Sequence, residues 1–307
     1  MRDGASAVSR SKGTADDHPN QSAAGSKPAP GLYLVATPIG NLDDITLRAI
    51  KVLRQADLIA CEDTRMTGKL LALLGLGGAS LTPYHEHNAD RARPALLARL
   101  RQGAVVALVS DAGTPLISDP GYRLVRDCVA EGLTVTGVPG ASAVLTALQL
   151  SGLPSDRFLF AGFLPVKDGA RRRTLAELAT VPASLVFYES PRRLADTLAA
   201  MAGTLGARDV AVARELTKLH EEVRRGTLAE LAGHYAEAGP PKGEVVIVVS
   251  PPGEAPPPDA DSVEQALRTA LETLSLRDAA ARVAAATGLP KRDLYQRAVA
   301  LQGDLRR

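Results

Sequence analysis

Val105-Val106-Ala107-Leu108-Val109-Ser110-Asp111-Ala112-Gly113-Thr114-Pro115-Leu116-Ile117-Ser118-Asp119-Pro120-Gly121 runs five apolar residues directly into a loop of small, polar and turn-forming ones. An apolar run of strand length with no polar face predicts a strand buried on both sides, inside a parallel sheet covered by helices. Open sheets of that kind bind ligands at the carboxyl ends of their strands, where this loop lies. Its two glycines and two prolines let bare backbone N–H and C=O groups approach a ligand closely. Asp111 is suited to accept a hydrogen bond from an amine or a ribose hydroxyl. Asp119, placed before Pro120 and a helical pattern, reads as a turn cap.

Outward from this stretch, strand and helix signals alternate. Residues 31–36 form a strand that stops at Thr37-Pro38, and helical spacing covers 47–56. Strands at 58–61 and 81–84 and helices at 69–74 and 91–101 follow, and 133–136 closes the first set. A second set opens near Phe158, with strands at 184–188, 209–213 and 244–249. The predicted fold class is therefore α/β, a mainly parallel sheet opening two α/β domains, with a small helical segment behind them. The boundaries read as a tail at 1–30, domains at 31–150 and 151–250, a proline-rich linker at 251–260 and helices at 261–307. In the last segment Ser275 opens a helix, Gly288 ends it in a left-handed cap, and Lys291, Arg292, Tyr295 and Arg297 lie on the next helix. That pattern resembles a helix-turn-helix, although basic residues outnumber acidic ones only narrowly.

The chain of 307 residues carries a net charge of +2, which neither demands nor excludes a nucleic-acid partner. Ten aromatic residues, six Tyr and four Phe with no Trp, leave Leu, Val and Ala to build the cores. Cys61 and Cys128 lie among apolar neighbours without metal-ligand spacing and read as buried thiols of a protein from the reducing cytoplasm. No apolar run has transmembrane length, and the 1–30 tail lacks the apolar centre of a signal peptide.

Absent motifs narrow the chemistry. No strand leads into G-x-G-x-x-G, and no phosphate loop of the G-x-x-x-x-G-K type occurs. Gly140-Ala141-Ser142-Ala143-Val144 lacks the second glycine of a nucleophile elbow, which argues against a serine hydrolase. His85-Glu86-His87 has no third ligand at recognisable spacing, so no metal is expected. Two further loops share the anatomy of the first: Thr37-Pro38-Ile39-Gly40-Asn41-Leu42-Asp43-Asp44-Ile45-Thr46, and Val138-Pro139-Gly140-Ala141-Ser142-Ala143. Small side chains where the second of these enters a helix leave room for a flat ring or a carboxylate over the helix N–H groups. Three such loops on one rim predict a small-molecule pocket.

Together with Glu62-Asp63-Thr64-Arg65 and Ala213-Arg214-Glu215-Leu216-Thr217-Lys218, these loops resemble the tetrapyrrole methylase superfamily. More narrowly, they resemble its small-subunit ribosomal RNA methyltransferase I family, the cytidine 2′-O-methyltransferases, from about Gly31 to Val249 and on into the C-terminal helices. The resemblance implies two α/β domains with S-adenosylmethionine bound in the cleft between them, and a homodimer. It also implies methylation of the ribose 2′-hydroxyl of a decoding-region cytidine, cytidine 1402, in free 16S rRNA or the small ribosomal subunit. By position, Pro38, Ile39, Asp111, Ala112, Gly113, Thr114, Ile117, Ser142 and Ala143 are implied to hold the cofactor. Tyr188, Ala213 and Glu244 are implied to reach its adenine or ribose from the second domain.

In such a reaction the protein's main task is in-line placement of a weakly nucleophilic hydroxyl, helped by a nearby base or cation. Glu189, Glu215 and Lys218 are candidates, with Asp63 and Arg65 from the first domain; a surface ion pair is an equal reading of Glu189 with Arg192 and Arg193. Arg65, the Arg171-Arg172-Arg173 run, Arg192-Arg193 and Lys291-Arg292 are expected to meet RNA phosphates, as is Arg224-Arg225. Two alternatives share parts of this pattern: a methyltransferase of corrinoid or tetrapyrrole precursors, and a non-catalytic RNA-binding assembly factor.

Overall fold

The computed structural model describes residues 27–253 and 260–304. The tail expected at 1–30 and the linker expected at 251–260 lie largely outside the described residues. Ten strands and eleven α-helices are described, in two five-stranded sheets and a terminal helical unit.

The first sheet holds β1 (Gly31–Val35), β2 (Leu58–Cys61), β3 (Leu81–Pro83), β4 (Val105–Val109) and β5 (Val135–Val138) in the order β3-β2-β4-β1-β5. Every pairing is parallel. All five residues of β4 are buried, as a continuous apolar run requires. Helices α1 (Leu47–Gln55), α2 (Thr64–Leu73), α3 (Ala89–Arg101), α4 (Tyr122–Ala130) and α5 (Ala143–Ser151) follow the strands. One face of the sheet packs Val35, Val52, Leu53, Ile59 and Val109; the other packs Leu32, Leu96, Leu108, Leu124 and Cys128. Both cysteines are free and buried. α2 starts at Thr64 and not near Lys69, because the Asp63 carboxylate accepts from the Arg65 N–H and opens the helix five residues early. β5 begins two residues later than expected, because Leu133 still closes α4 by donating its N–H to Cys128 O.

The second sheet holds β6 (Phe158–Phe163), β7 (Ser184–Glu189), β8 (Asp209–Arg214), β9 (Glu222–Thr227) and β10 (Val245–Val249), ordered β6-β7-β10-β8-β9. Only β6 and β7 are parallel; the remaining pairs are antiparallel. Period-two alternation sorts its side chains. Leu185, Phe187, Val210, Val212, Val245 and Ile247 face a core under α6 (Asp168–Leu178), α7 (Leu194–Leu205) and α8 (Leu228–Ala238). Val186, Ala211, Ala213, Val246 and Val248 face the other way, against Val144, Ala147 and Leu148 of α5 and Ile39. This last cluster joins the two sheets, and Gly152 in the left-handed conformation ends α5 and turns the chain towards β6.

β9 was not expected from the sequence. Glu222-Val-Arg-Arg-Gly-Thr carries too much charge to read as a buried strand, but an edge strand tolerates charge and gains protection from it.

Helices α9 (Ala260–Leu271), α10 (Leu276–Thr287) and α11 (Lys291–Asp304) enclose a core of their own built on Val263, Leu267, Ala280, Val283, Leu294 and Ala298. The Ser275 hydroxyl caps α10 from the Asp278 N–H at 3.2 Å, and Gly288 ends that helix at φ 71°. No described helix is long and apolar enough to cross a membrane.

Candidate active site

β1 lies between β4 and β5, all three parallel, so their carboxyl ends emerge side by side. That order gathers the three glycine- and proline-rich loops on one rim. Backbone hydrogen bonds fasten them: Thr37 N–H donates to Gly113 O at 2.9 Å, and Gly113 N–H returns a bond to Thr37 O at 3.1 Å. The Thr114 hydroxyl donates to Ala141 O at 3.1 Å. Asp111 extends the fastening to the loop after β2 by accepting from the Asp63 N–H at 3.1 Å.

The space left is a pocket of about 450 Å³, within the range that small-molecule sites occupy. The first sheet supplies Ile39, Asp111, Ala112, Gly113, Thr114, Ile117, Ser118, Asp119, Ser142 and Ala143. The second supplies Phe163, Tyr188, Glu189, Ser190, Pro191 and the stretch from Gly243 to Val246. Glycine is required at Gly113, where φ is 80° and an added Cβ would stand 3.2 Å from Ile39 Cγ2. Ser142 caps α5, so the amino end of a nine-residue helix opens on the pocket wall.

Of the twelve residues expected to hold a cofactor, ten line this pocket. Pro38 is not part of the wall. Ala213 stands behind it, 1% exposed and paired in register with Val246, which does face the cavity. Ser118, Asp119, Phe163, Gly243 and Val245 line it without having been singled out as site residues. Phe163 owes its place to an irregularity: the register between β6 and β7 shifts between Phe160 and Phe163, with Gly162 at φ 64°. The Tyr188 ring consequently meets both Phe160, at 4.9 Å between centroids, and Phe163, at 5.5 Å. A fixed aromatic wall of this kind suits a planar ring such as adenine.

Glu189, Glu215 and Lys218, three of the residues expected to activate a hydroxyl, are all tied into the framework. Glu189, 3% exposed, accepts from Thr197 Oγ1 at 2.6 Å and Ser190 N–H at 2.7 Å, with Arg193 Nε at 3.4 Å. Lys218 bridges Glu215 at 2.9 Å and Glu244 at 3.0 Å. Burial works against the charge on Lys218, but the two carboxylates outweigh it and hold the ammonium above its usual pKa. Glu215 is lowered by the hydrogen bond from Lys218. A held ammonium and a weakened carboxylate are poor proton acceptors.

Asp119 differs. Helix α4 takes Gly121 as its cap with no side-chain bond, so Asp119 does not cap that helix. Burial, then the neighbouring Glu62 carboxylate, pushes its pKa up to about 6, with Asp111 adding to the rise and a hydrogen bond to Ser110 opposing it. Burial, followed by the negative charges of Asp119 and Glu244, pushes Tyr188 up to about 12. Among the described residues, four that are not glycine have positive φ: Leu116 (72°), Ser118 (66°), Glu215 (49°) and Thr217 (64°). Ser118 lines this pocket and Leu116 lies two residues before it, while Glu215 and Thr217 follow β8; such strain, about 1–3 kcal/mol per residue, concentrates at functional sites.

The expected RNA contacts divide by exposure. Arg172, Arg173, Arg192, Lys291 and Arg292 are exposed, as is Arg65, which pairs with Asp63 at 2.7 Å. Arg171 is 7% exposed and paired with Asp168 at 2.7 Å, so it packs inward beneath its helix and presents nothing to a polyanion. Arg193 spans Leu164 O and Pro165 O as well as Glu189 and acts as a strut. Arg225 donates to Ser151 O at 2.9 Å and to Leu150 O, pinning β9 to the end of α5.

This architecture has known counterparts. The family model of tetrapyrrole (corrin/porphyrin) methylases matches residues 31–232, and the model of the RsmI C-terminal HTH domain matches 256–302. Ribosomal RNA small subunit methyltransferase I of Erythrobacter litoralis is 61% identical over 274 residues, covering 89% of this chain and 96% of that protein. The protein of the same name from Mesorhizobium japonicum is 53% identical over 274 residues, covering 89% and 92%. The one from Escherichia coli O157:H7 is 47% identical over 277 residues, covering 89% and 96%. Among solved structures, a diphthine synthase superposes with a TM-score of 0.56 at 16% identity, over 71% of this chain and 89% of that one. A cobalt precorrin-4 methyltransferase superposes with 0.51 at 21% identity, over 71% and 94%; at such identities the likeness is one of fold. Both parts of the chain thus agree with relatives that share most of its length, and it belongs to the ribosomal RNA small subunit methyltransferase I family of the tetrapyrrole methylases.

Proposed function

We propose that the chain transfers a methyl group from S-adenosylmethionine to the ribose 2′-hydroxyl of a decoding-region cytidine of 16S rRNA, cytidine 1402. The observation that carries this reading is the pocket of about 450 Å³ walled by both sheets, in a chain of this family. Its donor set suits the cofactor. The backbone N–H of Ala112 and the α5 amino end suit a carboxylate and polar hydroxyls, and the Tyr188–Phe163 wall suits adenine. S-adenosylmethionine supplies an electrophilic methyl group, which leaves the protein to orient and deprotonate the acceptor.

RNA is expected to be held by exposed cations, with Arg65 beside the cleft and Lys291 and Arg292 on α11. Tyr295 and Val299, four residues apart on α11, are 42% and 47% exposed and present an apolar stripe on the same helix. The protein is expected to work in the cytoplasm as a homodimer, which sedimentation at micromolar concentration measures. The test of function is transfer of labelled methyl from S-adenosylmethionine to small ribosomal subunits from cells lacking this enzyme, followed by digestion to nucleosides. Label in 2′-O-methylcytidine is expected. Label on a base, in a tetrapyrrole offered as substrate, or nowhere overturns the reading.

A further inference from the structure

We propose that Asp119 is the proton acceptor for the attacking ribose hydroxyl. The inference rests on the methyl-transfer reading above and names the group that it leaves open. Four observations converge on this side chain. It lines the pocket together with Ser118, and it does not cap the helix that follows it. The residue before it, Ser118, and Leu116 two further back both sit at positive φ, so the loop is bent into a costly conformation that presents this segment to the cavity. Gly121, at φ 138°, makes that bend possible: an added Cβ would stand 2.9 Å from Leu108 Cδ2 and 3.1 Å from Leu116 Cδ1. The other carboxylates of the cleft wall are held by backbone amides or cations, whereas Asp119 has the Ser110 hydroxyl as its hydrogen-bond partner. Glu189 is bound by Thr197, Ser190 and Arg193, and Glu244 by Lys218; Asp111 accepts from the Asp63 amide.

The electrostatic setting agrees with the geometry. The groups facing Asp119 are Ser110 and Asp111 beyond β4, Glu62 beyond β2 and Tyr188 on β7. Two of these are carboxylates and none is a cation. A carboxyl group with a pKa of about 6 is ionised at neutral pH yet more basic than an ordinary aspartate, which suits a general base working near pH 7. The step balances within the site. The hydroxyl O–H bond breaks and its proton passes to an Asp119 oxygen as the ribose oxygen forms a bond to the methyl carbon. The carbon–sulfur bond breaks with its electron pair left on sulfur. A sulfonium and a carboxylate become a neutral thioether and a carboxylic acid, a loss of charge separation that a half-buried cleft favours. The proton then leaves to water.

The test compares wild type with Asp119→Asn in single-turnover transfer to small subunits between pH 5 and 9, with cofactor binding measured by calorimetry. Carboxyl carbon NMR of the aspartate-labelled free protein is recorded alongside. Wild type is expected to show a rate that rises through an apparent pKa near 6 and an aspartate resonance titrating near 6 that vanishes in the variant. Asp119→Asn is expected to lose about 100-fold or more in rate and to lose the break in its pH profile, the usual cost of removing a general base. Its affinity for the cofactor should change less than about threefold, since the loss falls on the transition state. A variant that loses rate and cofactor affinity together but keeps the break near pH 6 overturns the assignment and leaves Asp119 a positioning role. So does a variant that methylates 2′-O-cytidine at the wild-type rate. Wild-type label on a base overturns the 2′-O reading itself, which separates the two failures.

Discussion

Replacing Glu189 separates a structural carboxylate from a catalytic one. Its side chain is 1% exposed and spends its oxygens on the Thr197 hydroxyl at 2.6 Å and the Ser190 amide at 2.7 Å, with Arg193 alongside at 3.4 Å. Hydrogen bonds to a charged group contribute about 1.5–3 kcal/mol each. Arg193 keeps its two carbonyl acceptors when Glu189 is removed, so it is not stranded. Glu189→Ala removes the bonds from Thr197 and Ser190 and should therefore cost about 3–5 kcal/mol. For a folding unit of 150–250 residues that corresponds to a fall of roughly 10 °C in thermal midpoint. Glu189→Gln keeps the volume and an acceptor for Thr197 and should cost only about 1–2 kcal/mol. Calorimetric unfolding measures both, and transfer assays well below both midpoints should find Glu189→Gln within about threefold of wild type in kcat. A Glu189→Gln protein with an unchanged midpoint and a rate reduced 100-fold or more would make Glu189 the base and refute the reasoning.

Gly113→Ala places a Cβ 3.2 Å from Ile39 Cγ2 at φ 80°. The backbone cost of about 1–2 kcal/mol and a displaced loop should weaken cofactor binding about tenfold by calorimetry while RNA retention on filters stays the same. Arg171→Ala, which strips Asp168 of a buried partner, should lower the thermal midpoint without changing RNA affinity. The exposed Arg173→Ala should leave the midpoint alone, and the reverse pattern would restore Arg171 to the RNA surface. Asp119 titrates in the folded protein near 6 against an ordinary 3.8, so folding binds its proton more tightly than unfolding does. Stability held below about pH 4 is then lost as pH rises through about 6. Asp119→Asn should accordingly unfold at a higher temperature than wild type at pH 8 and at the same temperature at pH 4; equal midpoints at both would show that the carboxylate carries no such burden.

The first sheet was legible because β1, β2 and β4 are apolar runs whose burial on both faces leaves no competing reading. The pocket loops were legible for the same reason: once the strands are parallel, residues just past their ends share a rim, which places Ile39, Asp111 to Thr114, Ser142 and Ala143 together. β9 was not legible, since an edge strand is stabilised by pairing with β8 and not by burying its own side chains. Arg171 and Arg173 sit two positions apart in one helix and look alike in sequence, yet helical phase turns one inward and the other to solvent. Phe163 depends on a register shift that no periodicity announces. An aspartate before Pro-Gly and a helix reads as a local cap, whereas α4 is capped at Gly121 without a side-chain bond and Asp119 lines the pocket.

The pocket also explains why both sheets are needed. Ile39 lines the cavity and packs in the cluster with Leu216 and Val246 that joins the halves, and Val246 lines the cavity from the other side. Gly40 leaves room for the Lys218 stem that a side chain at that position would fill, and Gly243 does the same for Glu215. The pocket wall is therefore the edge of the contact that docks one sheet on the other. A ligand seated there would touch both halves, so its binding would favour the docked form, by about 2.7 kcal/mol at a concentration 100 times its Kd if the undocked form does not bind it.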